Sequence, residues 1–142
     1  MDGKTSTFSQ EMAYKLNPEQ LKAVLALDTQ ARSTHCIGRI GDWEELWGVR
    51  NDEGWLVPCT PDDIQYFPVW PHPEYAQVTA DDRFPGHVPE RIALKDFMTK
   101  WLLGLKDDGV KVGVFPNMDW TMWIMEPDDL LASLEDEIAQ YE

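Results

Sequence analysis

The clearest pattern in the chain is one apolar stripe. Leu94, Phe97, Met98, Trp101, Leu102 and Leu105 fall at i, i+3, i+4, i+7, i+8 and i+11, the spacing of a single helical face. It predicts a long helix, broken by Asp107-Asp108-Gly109. Two further helices are announced by their first residues. Asn17-Pro18-Glu19-Gln20-Leu21 places a capping oxygen, a proline whose missing donor costs nothing, and an acid at the positive end of the dipole. A helix from 18 to about 27 follows, with Leu21, Val24 and Leu25 inward. Asp28 caps a second, which is expected to run to about Ile40 and to end at Gly41. Glu126-Pro127-Asp128-Asp129-Leu130 repeats the same logic and opens a terminal helix burying Leu130, Leu131, Leu134 and Ile138.

Between these helices the period shortens. Residues 45 to 50 and 54 to 59 are β-prone and flank Asn51-Asp52-Glu53-Gly54, which predicts a hairpin. A third strand is expected at 65 to 70, where Pro68 cannot donate to a ladder and argues for an edge or a bulge. Residues 73 to 80 are read as a short helix, and Asp81 to Arg91, with Pro85, Gly86 and Pro89, as a surface loop. Residues 110 to 116 and 120 to 125 make a second hairpin across Asn117-Met118-Asp119. In 120 to 125, Trp120, Met122 and Ile124 share one face while Trp123 and Met125 share the other, so that strand is apolar on both sides.

The order predicts an α+β fold: a mainly antiparallel sheet of about five strands packed against three to five helices. Residues 1–16 lack a sustained apolar period and are read as an N-terminal arm, and 17–142 as a single domain. At 142 residues the chain has the length of one domain.

Charge narrows the partners. Twenty-six acidic against twelve basic residues give a net charge of −14. Such a chain repels phosphate backbones and anionic headgroups, so no direct nucleic-acid binding and no membrane binding are expected. Residues 119 to 142 hold eight acids and no base, so the terminal helix carries an acidic outer face. Cys36 and Cys59 are expected to be free thiols in a cytoplasmic protein, and no run of apolar residues approaches the ~18 that span a bilayer.

Motifs for chemistry are sparse. Four Asp-Asp pairs, at 62/63, 81/82, 107/108 and 128/129, sit in helix-start or turn contexts rather than at calcium-loop spacing. His72-Pro73-Glu74 matches half of a zinc deaminase signature, but the later Pro-Cys-x-x-Cys is missing. Adjacent His35 and Cys36 point about 100° apart on a helix and cannot pair by adjacency. No nucleophile elbow, phosphate loop or dinucleotide fingerprint is present. The expectation is therefore no catalytic residue, no metal and no cofactor.

Several stretches assemble into a family pattern: DWEELWG at 42 to 48, FPVWPHPEYA at 67 to 76, DFMTKWLLGLKDDGVKVGVFP at 96 to 116, and the closing EPDDLLASLEDEIAQYE. Over residues 17 to 142 the chain resembles the small bacterial family catalogued as domain of unknown function twenty-seven-fifty. The resemblance implies a single-domain cytoplasmic bacterial protein and brings no activity, cofactor or catalytic residue.

The residues themselves favour a non-enzymatic module that binds a basic protein partner, as immunity proteins of similar size and charge bind toxin nucleases. Seven tryptophans supply anchors. Trp47, Trp70 and Trp120 at strand ends, with His72 at the rim, are the candidate binding residues. The alternative is a small-molecule or enzymatic site with a pocket near Trp70 and His72. Oligomeric state is left open.

Overall fold

A computed structural model describes residues 16–140; the expected N-terminal arm lies outside the described residues but for Leu16. Helix α1 (Pro18–Leu25) begins as its sequence demands, with the amide of Gln20 donating to Asn17 Oδ1 at 2.7 Å. Helix α2 (Thr29–Trp43) is capped by Asp28 Oδ1, which accepts from the Ala31 amide at 2.8 Å. This helix does not stop at Gly41. It runs on to Trp43, and the left-handed residue that ends it is Glu44, at φ 59°. The Glu44 carbonyl accepts the Leu94 amide at 3.0 Å, so a distant segment holds a conformation that a glycine would adopt unaided.

Strand β1 (Glu45–Asn51) pairs antiparallel with β2 (Gly54–Trp55), Arg50 opposite Trp55. The expected hairpin forms, but its second strand is two residues long instead of six. Pro58 has no donor to extend the ladder, and its carbonyl instead accepts the Tyr66 amide at 3.0 Å.

Strand β3 (Tyr66–Val69) leads to helix α3 (Pro73–Arg83), and β4 (Val88–Ala93) follows. Here the expected surface loop is overturned: α3 runs three residues past position 80, and β4 pairs antiparallel with β1 from Glu45 opposite Ala93 to Arg50 opposite Val88. Its polar composition reflects its place. The order β2-β1-β4 puts β4 at an edge, where Pro89 needs no donor, Val88 is exposed and Glu90 ion-pairs with Arg50 at 3.8 Å.

The apolar stripe is realised as α4 (Leu94–Asp96), a π-helical turn (Phe97–Trp101) and α5 (Leu102–Asp108). Leu94, Phe97 and Leu102 are buried, and Met98, Trp101 and Leu105 are partly so. The face is the predicted one, but the helix is not regular, because the Leu102 amide bonds back to Phe97, five residues earlier. Strand β5 (Lys111–Val114) pairs parallel with β3 and antiparallel with β6 (Trp123–Met125), giving a second sheet ordered β3-β5-β6. Pro68 thus sits on an edge strand, as its missing donor requires. Helix α6 (Pro127–Ala139) closes the fold, with Leu130 and Leu134 buried.

The fold is α+β in one domain, with one parallel strand pair among otherwise antiparallel ladders. Among the described residues the two sheets meet at a single bridge, where Trp47 and Trp70 exchange both backbone bonds at 2.8 Å. Among the described residues no helix is long and apolar enough to cross a membrane.

Candidate binding surface

The four sequence candidates lie close together, yet only two reach the surface. Trp70 is fully buried, and its indole Nε1 donates to the Pro116 carbonyl at 3.1 Å. Its ring lies 6.0 Å from that of Trp120. His72 is 2% exposed and faces elsewhere, edge-on to Trp43 and Tyr75 with both ring centroids 6.0 Å away. Its Nδ1 accepts the Glu74 amide at 3.1 Å and so caps α3. Burial lowers its pKa to about 4, so the ring is neutral near pH 7. Trp70 and His72 are therefore core and cap residues; as surface anchors they are corrected by their burial. Trp47 and Trp120 are half-buried.

Trp120 belongs to a rigid turn rather than to a strand. It stands at φ 61°, off the alternation expected for 120 to 125. Asn117 builds the turn: its Oδ1 accepts the amides of Asp119 at 3.0 Å and Thr121 at 2.9 Å, and the Thr121 hydroxyl at 3.0 Å. The Trp120 indole donates to the Tyr66 hydroxyl at 2.7 Å, and its ring lies 5.3 Å from Phe84.

A buried cation fixes both ends of this turn. Arg32 donates from Nε to the Phe115 carbonyl at 2.8 Å, from one terminal nitrogen to the Thr121 carbonyl at 2.7 Å, and from the other to Leu27 at 2.6 Å. Desolvation lowers its pKa while nearby Asp28 opposes that shift. A guanidinium suits the task because its planar fork meets three carbonyls at once. Two large apolar side chains at this end meet water: Met118 on the turn, 40% exposed, and Trp123 at the start of β6, 46% exposed.

Trp123 was legible as the odd-parity member of its strand, and Met118 as a turn tip; neither was singled out from sequence. Around them the surface is acidic. Asp119, Glu126, Asp128 and Asp129 are exposed, and three cations are engaged here. Lys111 pairs with Glu126, Lys106 with Asp128 at 2.9 Å, and Arg83 with the Asp119 carbonyl at 3.2 Å. The geometry offers exposed apolar side chains in an acidic field, on and beside a turn tied down by Asn117 and Arg32.

A separate cleft lies where α2 ends and α4 begins, and neither Trp70 nor His72 lines it. Among the described residues no group of three or more His, Cys, Asp or Glu side chains is placed to hold a metal ion. No match is found among curated proteins or solved structures. A family model does match, over residues 33–134, from the first turns of α2 into α6 and across the six described strands: the chain belongs to the family described as protein of unknown function, DUF2750.

Proposed function

We propose that this chain is a non-enzymatic protein-binding module whose β5–β6 hairpin docks a basic surface of another protein. The observation that carries the reading is Trp123, a tryptophan left nearly half exposed on a strand flanked by the exposed acids Asp119, Glu126, Asp128 and Asp129. Large aromatic side chains are the commonest energetic anchors of interfaces. The turn before it is tied down by Asn117 and Arg32, so docking would lose little conformational entropy. The net charge of −14 supplies long-range attraction for a cationic partner and repels acidic ones. Trp120 is packed against Trp70 and Phe84, and Trp47 stands at the bridge between the sheets.

The test is a matched capture with wild-type and Trp123→Ala protein from a lysate of the source organism, followed by binding kinetics on the captured partner. A basic partner held by the wild type is expected to dissociate at least ~10-fold faster from Trp123→Ala. Neutralising exposed Glu135 and Asp136 should mainly slow association, and salt should weaken it. An acidic partner, or binding indifferent to both salt and Trp123, would overturn the reading.

A further inference from the structure

The cleft between α2 and the π-helical run measures about 630 Å³, a volume within the ~300–1,000 Å³ range of small-molecule sites. Its apolar lining comes from Leu94, Met98 and Ile138. Two irregular pieces of backbone shape its walls. Glu44 holds a left-handed conformation at the end of α2, and Met98 and Thr99 ride on the π turn. Residues kept in sparsely populated conformations and π turns both gather at functional sites. The two walls are joined by the bond from the Leu94 amide to the Glu44 carbonyl.

Charged residues also line this cleft. Glu44 and Lys95 both line it and are both exposed, yet neither has an ion-pair partner among the described residues, and they do not pair with each other. Asp42, also on the wall, reaches Arg39 only at 4.0 Å. An acidic and a basic residue, neither committed to another ion pair, thus line one cleft beside Leu94, Met98 and Ile138. A simple amine would satisfy Glu44 but meet Lys95 with like charge, and a simple carboxylate would do the reverse. Like-charge contacts penalise both. A molecule carrying both charges and an apolar side chain satisfies every wall at once.

We propose that this cleft binds a small zwitterion with an apolar side chain, either a free hydrophobic amino acid or a dipeptide. Glu44 receives its ammonium group, Lys95 its carboxylate, and Leu94, Met98 and Ile138 its side chain. The site is independent of the hairpin surface, since Trp123 does not line it.

The experiment is an amide-resolved NMR titration of the full chain with four probes: leucine, leucyl-leucine, 3-methylbutylamine and 4-methylpentanoate. At least one zwitterion is expected to shift the amides of Gly41, Glu44 and Thr99 saturably at millimolar concentration. The lone amine and lone acid should bind at least ~10-fold more weakly. Glu44→Gln and Lys95→Gln should each lower zwitterion affinity by ~5-fold or more while leaving thermal stability near that of wild type, as expected for exposed side chains. Saturation by leucine alone identifies the free amino acid as the class, and saturation by leucyl-leucine alone the peptide. Absence of a saturable shift with both zwitterions, equal binding of the lone amine or acid, or undiminished binding in both variants would each overturn the proposal. None of these results bears on docking at Trp123.

Discussion

The Nε of Arg32 donates to the main-chain carbonyl of Phe115 at 2.8 Å, across 83 residues of sequence, and Phe115 stands at φ 58°. A bulky aromatic residue enters that region only when its surroundings impose it. The guanidinium supplies part of the imposition. Replacing Arg32 with methionine leaves carbonyls of Phe115, Thr121 and Leu27 without this donor. A loss of about 2–4 kcal/mol in urea unfolding is expected. Arg32→Lys should recover less than half of it, because an ammonium cannot span three acceptors held in a fork. A methionine variant within ~0.5 kcal/mol of wild type would show that the turn holds itself.

Gly113 is required by its neighbours. A Cβ there would sit 2.6 Å from Met122 Sδ and 2.8 Å from Tyr66 Cδ2. The thioether can swing away, but the Tyr66 ring is buried and its hydroxyl is tied to Trp120. Gly113→Ala should therefore cost about 1–3 kcal/mol through overpacking. It should also perturb Trp120 fluorescence, which a purely local strain at β5 would not do.

The His72 ring links stability to pH. Its folded-state pKa lies at about 4, below the ordinary value of 6.5. Between those values the unfolded chain binds the extra proton, so stability is intact above pH 6.5 and falls as pH drops toward 4. The slope from this group is about 1.4 kcal/mol per pH unit. His72→Asn keeps a side-chain acceptor for the Glu74 amide and removes the titration. Its unfolding free energy, compared with wild type between pH 6.5 and 4.5, should show a shallower decline; parallel curves would assign the acid sensitivity to other groups.

The two thiols should differ sharply in reactivity. Cys36 is fully buried and burial raises its pKa strongly, whereas Cys59 is exposed. A thiolate is the reactive form. An aromatic disulfide reagent should label one thiol promptly in the native protein and the second only in denaturant. Two prompt equivalents would mean that α2 opens readily around Cys36.

Much of the fold could be read from residues whose chemistry acts locally. Asn17 and Asp28 cap the helices they were expected to cap, and Gly54 turns the first hairpin. What escaped the sequence was decided by distant partners. β4 lacks apolar alternation because it is an edge strand opposite β1, and its proline is tolerated there. The π turn is invisible because its residues keep the same apolar face as a regular helix. Trp120 left the expected strand because Asn117 and Arg32 fold its segment into a turn. For the surface, the tryptophan count gave seven candidates of equal standing. It could not distinguish Trp70, which the core needs, from Trp123, which it does not. Arg32 gave no signal, since nothing local separates a buried arginine on a helix from a solvated one.

The strand orders make the two sheets inseparable. β3 lies in sequence between β2 and β4 but pairs in the other sheet, and β4 lies between β3 and β5 but pairs back to β1. A break in the backbone between Arg83 and Val88 would thus part β1 from β4 and β3 from β5 together, leaving each fragment with strands whose partners are on the other piece. Neither half has a complete sheet to fold around, so the halves should acquire structure only when mixed, as complementing fragments, and the intact chain should unfold as one cooperative unit.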